Sequence, residues 1–326
     1  RYGPGGTGTV TAALAFGGND GSDSAATEEW TGAGVPIGAW STGGNLNTAR
    51  TTGAGAGISN TAALAFGGSP IPGVAGKTER YDGTSWTEVS DLTKGGTGLG
   101  GTGTSTSALA FGREDPYPPT GVNPDNLTES WNGSSWTEVA NLTAVRARMG
   151  SAGVSNTSAL CISGLPPPDG TANVEEWNGV SWTEIGDVND PRWGLAANGT
   201  ATSALAYGGI DNPTSNVANT ESWNGTSWTE VNNLNTARRE LASSGADNTS
   251  ALAFGGESNP TTIVAVTEEW NGVSWAEVND LNTTRNNLAG NGTTLSALAY
   301  GGNVPATTAA TEEWNLPSTV VKTLTD

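Results

Sequence analysis

The segment ESWNGTSWTEV at residues 221–231 decides the fold, because close copies of it recur along the chain. Two runs containing Thr, Trp and Val flank an Asn-Gly pair, and both residues of such a pair tolerate the positive φ of a tight hairpin turn. The segment therefore predicts two antiparallel strands joined by a short turn. Its copies are YDGTSW at 81–86, WNGSSW at 131–136, and WNGVSW at 177–182 and 270–275.

The two aromatic residues of each copy are expected on one face of the hairpin. In the WNGSSW copy, a two-residue turn at Asn132-Gly133 would pair Trp131 with Ser134 and Glu129 with Trp136. A four-residue turn gives the same parity. Either turn lays two indole rings side by side, where they can pack against the next unit.

A second recurring block, ALAFGG with close variants, sets the length of the repeat. It is a short apolar run that ends in glycine, as expected for a strand buried on both faces. Its seven copies lie 45–51 residues apart, at the central leucines Leu14, Leu64, Leu109, Leu160, Leu205, Leu252 and Leu298.

Each repeat contains four strand-like blocks: a Gly- and Ala-rich stretch opened by Arg, the ALAFGG block, a TEEWNG block and SWTEV. Seven such repeats predict an all-β fold, a single seven-bladed β-propeller over residues 1–326 with four antiparallel strands per blade. An open solenoid is the alternative, but a ring removes the exposed ends that an open array must cap. The small-residue first strand is expected innermost. The predicted blades span residues 1–49, 50–93, 94–145, 146–191, 192–237, 238–284 and 285–326.

The sequence leaves open how such a ring closes. The first repeat begins with its own inner strand at Arg1, and the last repeat ends with an outer strand at 318–325. No blade would then be shared between the two ends of the chain. Either the ring closes by blade packing alone, or the assignment is shifted by one strand.

Three recurring features make the chain resemble kelch repeats. A glycine pair closes the second strand, as in Gly17-Gly18, Gly67-Gly68, Gly208-Gly209, Gly255-Gly256 and Gly301-Gly302. The third strand carries an aromatic residue: Trp30, Tyr81, Trp131, Trp177, Trp223, Trp270 and Trp314. The fourth carries a tryptophan: Trp40, Trp86, Trp136, Trp182, Trp228 and Trp275. The third repeat departs with Gly112-Arg113, the fourth with a single Gly164, and the last by lacking the fourth-strand tryptophan.

This resemblance implies a seven-bladed kelch propeller, a fold used mostly for interactions, although one branch contains copper oxidases. Copper oxidase chemistry of that kind needs histidine, and the chain has none. The near-identical repeats also resemble repeat-rich structural proteins of tailed phages of marine bacteria. That second resemblance implies a virion component such as a tail fibre.

The composition narrows the classes of partner and chemistry. A net charge of −19, from 32 acidic and 13 basic residues, disfavours a nucleic-acid partner, which needs a basic surface. The lack of histidine removes the commonest metal ligand and the commonest general acid–base group. The single cysteine, Cys161, stands where sister repeats have a buried residue and is expected to be inert. No apolar stretch is long enough to cross a bilayer, so no membrane insertion is predicted.

No cofactor, metal site or catalytic pair is predicted. Asp20, Asp23 and Asp115 could offer oxygen ligands to calcium, but no loop shows a full ligand pattern. Because the chain starts with Arg rather than Met, we expect it to be processed or part of a longer polypeptide. A catalytic pair should be singular, so the recurring acidic pairs are interpreted as solvated strand edges: Glu28-Glu29, Glu175-Glu176, Glu268-Glu269 and Glu312-Glu313.

Antiparallel order assigns the connections of the ring to two faces. Those from strand one to two and from three to four lie on one face, the turn face, and are short, like SNT at 59–61. The others lie on the opposite face, the loop face, and include the variable segments 69–77, 114–126, 165–173 and 210–219. Variable loops on a rigid frame are the usual place for recognition. We therefore predict ligand binding on the loop face, led by Asp115, Tyr117 and Asp125.

The loop face also carries an arginine that opens most repeats: Arg1, Arg50, Arg146, Arg192, Arg238 and Arg285, with Gly96 in the third repeat. Arg50, Arg146, Arg192, Arg238 and Arg285 are candidate ligand-binding residues, because a ring of guanidiniums could hold an anion. The alternative is that each arginine pairs with a glutamate of the SWTEV block, such as Glu88, Glu138, Glu184 or Glu230. The structural alternative is favoured, since the arginine recurs with the scaffold and not with the loops.

The sequence thus favours a non-enzymatic propeller, extracellular or on a virion surface, that acts as a structural or adhesin-like receptor-binding module. The expected partners are other structural proteins of the same assembly, or a cell-surface glycan or receptor. The alternative is a carbohydrate-active hydrolase or lectin that uses acidic residues of the loop face.

Overall fold

The computed structural model describes residues 38–68, 75–115, 124–165, 170–211, 215–259 and 261–316, together with the backbone of residues 5–8, 12–16 and 27–31. Within these ranges the chain forms strands and turns, and no helix long and apolar enough to span a membrane is found. The prediction of an all-β fold built from four-stranded antiparallel sheets is confirmed. Contacts divide the chain into two compact units, one of Gly38–Asn315 and one of Arg1–Ile37 with Leu316–Asp326.

The smaller unit contains three strands of the first repeat, β1 (Gly5–Gly8), β2 (Ala12–Phe16) and β3 (Thr27–Thr31). They pair antiparallel in the order β1-β2-β3. The fourth strand of this repeat, β4 (Ala39–Thr42), belongs to the larger unit.

The larger unit contains six four-stranded antiparallel sheets, numbered here I to VI. Sheet I consists of β5 (Ala54–Ser59), β6 (Ala62–Phe66), β7 (Thr78–Tyr81) and β8 (Trp86–Glu88). Sheet II consists of β9 (Gly100–Thr104), β10 (Ser107–Glu114), β11 (Pro124–Trp131) and β12 (Trp136–Val139). Sheet III consists of β13 (Gly150–Ser155), β14 (Ser158–Ile162), β15 (Val174–Trp177) and β16 (Trp182–Glu184).

The other three sheets carry additional short strands in their loop-face connections. Sheet IV consists of β17 (Ala196–Thr200), β18 (Ser203–Tyr207), the ribbon β19 (Ile210–Asp211) and β20 (Ser215–Asn216), then β21 (Thr220–Trp223) and β22 (Trp228–Val231). The strand β23 (Arg238–Arg239) precedes sheet V and pairs with a short strand, β26, in the loop-face connection of that sheet. Sheet V consists of β24 (Ala242–Asp247), β25 (Ser250–Phe254), β28 (Thr267–Trp270) and β29 (Trp275–Glu277). The short strands β26 (Glu257–Ser258) and β27 (Thr262–Ile263) lie in its loop-face connection. Sheet VI contains β30 (Ala289–Gly292), β31 (Ser296–Tyr300) and β34 (Thr311–Asn315). The ribbon β32 (Asn303–Val304) and β33 (Ala306–Thr307) lies in its loop-face connection.

Sheet VI closes the series by using strands from both ends of the larger unit. Its order is β30-β31-β34-β4, with Trp314 of β34 opposite Trp40 of β4. The fourth strand of the first repeat therefore completes the last sheet, as in the alternative in which the assignment is shifted by one strand. The outer strand predicted at 318–325 lies outside the described residues.

The first strands of the six sheets contact one another in a cycle, from β5 through β9, β13, β17, β24 and β30 back to β5. The innermost position predicted for the small-residue strand is thus observed, in a β-propeller-like arrangement. The prediction of seven blades is not confirmed. Among the described residues six four-stranded sheets form this cycle, because the first repeat contributes only β4 to it.

A circle of six backbone hydrogen bonds lies where the chain enters these first strands. The N–H of each member donates to the carbonyl of the equivalent residue in the preceding sheet, over 2.7–2.9 Å, and the last link joins Thr52 to Asn287. The members of this axial circle are Thr52, Gly98, Arg148, Gly194, Glu240 and Asn287.

Every member of the axial circle has a left-handed backbone. The φ values of Thr52, Arg148, Glu240 and Asn287 lie between 52° and 53°, and those of the two glycines at 61° and 63°. A non-glycine residue in this region costs about 1–2 kcal/mol. Four repeats have a non-glycine residue in this strained conformation at the same position. We therefore attribute the left-handed backbone to the hydrogen bonds of the axial circle.

The tryptophan hairpins form the seams between sheets. Trp131 pairs directly with Trp136 across a four-residue turn, and their ring centroids are 5.3 Å apart. The shared face is confirmed, whereas the two-residue turn is wrong, because Asn132 N–H reaches across to the carbonyl of Ser135. Trp136 then packs edge-on against Phe66 of the preceding sheet, at 4.9 Å between centroids.

The indole N–H of the fourth-strand tryptophan also bonds across each seam, with one exception. In five seams it donates to the hydroxyl of a buried threonine in the third strand of the preceding sheet, three residues before the aromatic residue of that strand, as Trp275 does to Thr220 at 3.1 Å. In the seam between sheets III and IV that position is Val174, and Trp228 Nε1 is buried with no partner among the described residues.

We expect Val174→Thr to raise the free energy of unfolding by about 1 kcal/mol, because the new hydroxyl would accept the orphaned Trp228 N–H. The matched control, Thr220→Val, should lower it by about 1–3 kcal/mol, since it orphans Trp275 Nε1. Chemical denaturation of both variants checks the pair. Destabilisation by Val174→Thr would show that the seam geometry is not as described.

Candidate functional site

The arginines predicted to bind a ligand are buried, each within its own sheet. Arg50, Arg146, Arg192, Arg238 and Arg285 are at most 2 % exposed. Their partners are Glu79, Glu175, Glu221, Glu268 and Glu312, with Nη2–Oε1 distances of 2.5–3.1 Å for the first four. The structure does not bring these guanidiniums together around an opening. Arg1 lies outside the described residues.

The predicted partners in the SWTEV block were wrong. Each arginine pairs instead with the first glutamate of the third strand, whose side chain points into the sheet interior while Glu88, Glu138, Glu184 and Glu230 face solvent. The interpretation of the acidic pairs as solvated strand edges is corrected for the same reason. Their first members Glu175, Glu268 and Glu312 are buried. The side chains of Glu28 and Glu29 are outside the description.

Each buried glutamate also ties its sheet to the preceding one. Glu175 Oε2 accepts the backbone N–H of Thr143, 2.7 Å away in the connection that leaves sheet II, while Oε1 accepts from Arg146. Arg146 Nη1 donates further to the carbonyl of Asn173 at 2.9 Å. Such additional hydrogen bonds offset part of the desolvation of a buried ion pair, although the Nε of each of the five arginines is buried without a partner among the described residues. These pairs therefore act as pins between sheets.

The third repeat keeps this pin with exchanged positions. Gly96 replaces the opening arginine, and Arg113 replaces the second glycine of the pair. The Arg113 side chain fills the space above Gly96, where an added Cβ would come within 2.8 Å of it. Its guanidinium contacts Glu129 at 3.1 Å. The two departures noted in the sequence are thus one compensated change.

The acidic residues predicted in loop 114–126 have different surroundings. Asp125 accepts from Lys94 Nζ at 2.8 Å and lies 3.4 Å from Arg113 Nε, so it belongs to the pin of sheet II. Asp115 is half-buried just after β10. Tyr117 lies outside the described residues.

Cys161 is fully buried, as expected for its position in β14. Burial raises the pKa of its thiol to about 12, so the thiol stays protonated at neutral pH.

The residues that do not repeat converge at the loop-face end of the axis. The dipeptide after each opening position differs in every repeat of the ring: Thr51-Thr52, Thr97-Gly98, Ala147-Arg148, Trp193-Gly194, Arg239-Glu240 and Asn286-Asn287. The second residue of each belongs to the axial circle. We call Arg148, Trp193, Arg239 and Glu240, with Glu114 and Glu257 of the adjoining connections, the axial cluster.

Arg148 is the centre of the axial cluster. Its Nε and Nη2 contact both carboxylate oxygens of Glu114 in the neighbouring sheet, at 2.9 and 3.3 Å. Its Nη1 contacts Glu240, two sheets away on the other side, at 3.2 Å. The guanidinium also lies 5.5 Å from the ring centroid of Trp193. One side chain therefore joins three other sheets across the end of the axis.

The Glu240 carboxyl group lies in a site that is mostly closed to water. It accepts from Arg148 and, at 2.6 Å, from Asn287 Nδ2 of the next sheet. Burial raises the pKa of Glu240, and the charges of Arg148 and Arg239 oppose that rise.

A second charged pair also lies near Trp193. The Arg239 guanidinium lies 5.9 Å from the Trp193 centroid and contacts Glu257 at 2.8 Å. Glu257 also accepts from Asn286 Nδ2 at 3.0 Å. Arg239 Nε and Asn286 Oδ1 are buried and have no partner among the described residues, as is also true of the Nε atoms of the pin arginines.

The axial cluster was missed in the sequence, although a signal for it was present. The predicted site residues lie in a long loop or belong to the recurring arginines, whereas the residues of the axial cluster occupy a two-residue segment of constant length. The signal is that the dipeptide after the opening position is different in each of the six repeats, although the rest of the repeat is nearly identical.

A separate cavity of about 310 Å³ lies on the axis towards the turn face. Glycines and small polar residues of the first strands line it, among them Ser151, Asn198 and Ser243, with Ile58 and Val154 at its mouth. Ser151 and Ser243 donate to carbonyls of neighbouring sheets, so their hydroxyls serve the packing of the ring. Among the described residues, no group of three or more acidic or thiol side chains could hold a metal ion.

None of the models of known protein families matches the chain, and no curated protein matches it.

A double-mutant cycle at Gly96 and Arg113 tests whether the two positions of sheet II share the space of one arginine side chain. Gly96→Arg alone should lower the free energy of unfolding by more than about 2 kcal/mol, because two side chains would occupy one space. Arg113→Gly alone should cost about 3–5 kcal/mol, since it leaves Glu129 buried and unpaired. The double variant restores the pin of the sister sheets, and we expect it to recover most of the loss. Additive effects in thermal or chemical denaturation would contradict the shared position.

Proposed function

We propose that the ring of six sheets is a non-enzymatic, kelch-like recognition module, extracellular or on a virion, that binds a cell-surface glycan or receptor through its loop face. The observation that carries this proposal is the contrast between repeated and unrepeated residues. The recurring arginines and glutamates are buried as ion pairs within the ring. Arg148, Trp193, Arg239 and Glu240 occupy positions whose residue type varies between repeats, and they stay partly open to solvent.

The chemistry of the axial cluster suits a ligand rich in hydroxyl groups. Trp193 supplies a flat apolar surface, while Arg148, Arg239 and Glu240 supply donors and acceptors beside it. Side chains already held by Glu114, Glu257 and Asn287 lose little freedom when a ligand binds.

The location and the assembly of the module form a second part of the proposal. The extracellular or virion location, and partnership with other structural proteins of one assembly, rest on the near-identity of the repeats and on the strongly acidic composition. A solvent-facing acidic protein of this kind stays soluble at high local concentration.

A carbohydrate hydrolase is the second candidate, and one observation favours it. Glu240 has a raised pKa, which a general acid requires, and Glu114 lies on the other side of Arg148. Both carboxylates are bound to the same guanidinium, so a substrate would have to displace Arg148 before either could act.

The test measures binding of the chain to an array of neutral and acidic glycans and to host cells. The variants Trp193→Thr and Arg148→Gly place at each position a residue that sister repeats carry there, at Thr51 and Gly98, so the fold should be retained. We expect each to weaken binding about tenfold, as loss of a central contact does. The control Arg80→Ala removes an exposed arginine of β7, away from the cluster.

Equal binding by wild type and both variants would exclude the axial cluster as the site. Release of reducing sugar that Glu240→Gln abolishes would favour the hydrolase instead.

A further inference from the structure

The chain contains six Asn-Gly pairs, and the structure places them in two different environments. In the inner strands β17 and β30, Asn198 and Asn291 are each only 6 % exposed; we call these two the strand asparagines. Because all six asparagines precede a glycine, a difference in their chemistry must come mainly from the fold. The other four, the hairpin asparagines, are exposed in the turns of sheets II to V: Asn132, Asn178, Asn224 and Asn271.

Two backbone N–H groups hold the side-chain carbonyl of each hairpin asparagine. Asn132 Oδ1 accepts from Ser134 and Ser135 at 2.9 and 3.0 Å, and the other three accept from the equivalent residues at 2.9–3.0 Å. The N–H of the glycine that follows each of them donates to no backbone carbonyl among the described residues. Glycine also has no side chain to hinder attack by its backbone nitrogen.

We propose that the four hairpin asparagines deamidate spontaneously in the folded protein, with water as the co-reactant, and that the two strand asparagines are protected. The glycine nitrogen loses its proton to hydroxide and forms a bond to the asparagine Cγ. The electron pair of the carbonyl moves to Oδ1, where the two backbone N–H groups stabilise the negative charge. The Cγ–Nδ2 bond then breaks, ammonia leaves, and water opens the resulting cyclic imide to a carboxylate.

Sheet I shows that the hairpin accommodates the acid. Asp82 occupies the position of the hairpin asparagines, and its Oδ1 accepts from Thr84 and Ser85 at 2.9 and 2.8 Å. The backbone N–H groups of Ser85 and Thr84 lower the pKa of Asp82, so they favour its carboxylate form. Conversion of a hairpin asparagine to aspartate therefore keeps both hydrogen bonds and adds one negative charge.

The Nδ2 of each strand asparagine is bound to a neighbouring sheet. Asn198 Nδ2 donates to the carbonyl of Asp247 at 2.8 Å, and Asn291 Nδ2 donates to the carbonyl of Ser59 at 3.2 Å. Asn198 Oδ1 also accepts from the hydroxyl of Tyr207 at 3.1 Å. Attack on either side chain requires the ring to open locally, so the rate should follow the small fraction of opened molecules.

Incubation of the purified, folded chain at mildly alkaline pH, followed by proteolysis and mass spectrometry, tests the proposal. We expect the hairpin asparagines to convert to the acid at least about tenfold faster than the strand asparagines. In the chain unfolded by denaturant, all six should convert at similar rates, because the protection is lost. The variant Asn132→Asp should keep the Tm of the wild type, since its turn can make the bonds seen at Asp82.

Two results would overturn the proposal. One is hairpin asparagines that stay intact in the folded chain while they convert in the unfolded chain. The other is equal conversion of hairpin and strand asparagines in the folded chain. Circular dichroism during the incubation verifies that the chain stays folded.

Discussion

The circle of six backbone hydrogen bonds around the axis is the constraint on which the rest of the ring depends. Each link fixes one sheet against the next, and the link between Thr52 and Asn287 joins the last sheet to the first. The circle requires left-handed φ at every member, and four of the six are not glycine. Closure and local strain are therefore the same feature, and the strained residues are those whose side chains reach the loop-face end of the axis.

Buried charge plays a structural part throughout the ring. Each of the six sheets of the ring holds an arginine and a glutamate in contact, and the glutamate also holds the connection from the sheet before it. The sheet that lost its opening arginine regained the guanidinium from Arg113, over Gly96. What repeats in this chain is thus used by the fold, and the residues that differ between repeats are the ones that we propose for recognition.

Much of this architecture could be predicted from local patterns. The Asn-Gly hairpins, the shared face of paired tryptophans and the inner position of the small-residue strand follow from short-range geometry. The number of sheets in the ring could not. Ala39–Thr42 can pair with the third strand of its own repeat or with the same strand of the last one, because Glu28, Glu29 and Trp30 have the same sequence as Glu312, Glu313 and Trp314. The partner of each arginine was missed for a related reason, since glutamates occur in both outer strands and only packing shows which one points inwards.

The most direct test of the six-sheet ring is disulfide formation by Ala39→Cys with Asn315→Cys. These exposed positions face each other across β4 and β34, at a spacing that a disulfide can span with small adjustment. The account expects rapid, quantitative cross-linking of this pair under mild oxidation. If the first repeat kept its own fourth strand, the pair that would cross-link instead is Ala39→Cys with Thr31→Cys. The reverse pattern would contradict the ring of six.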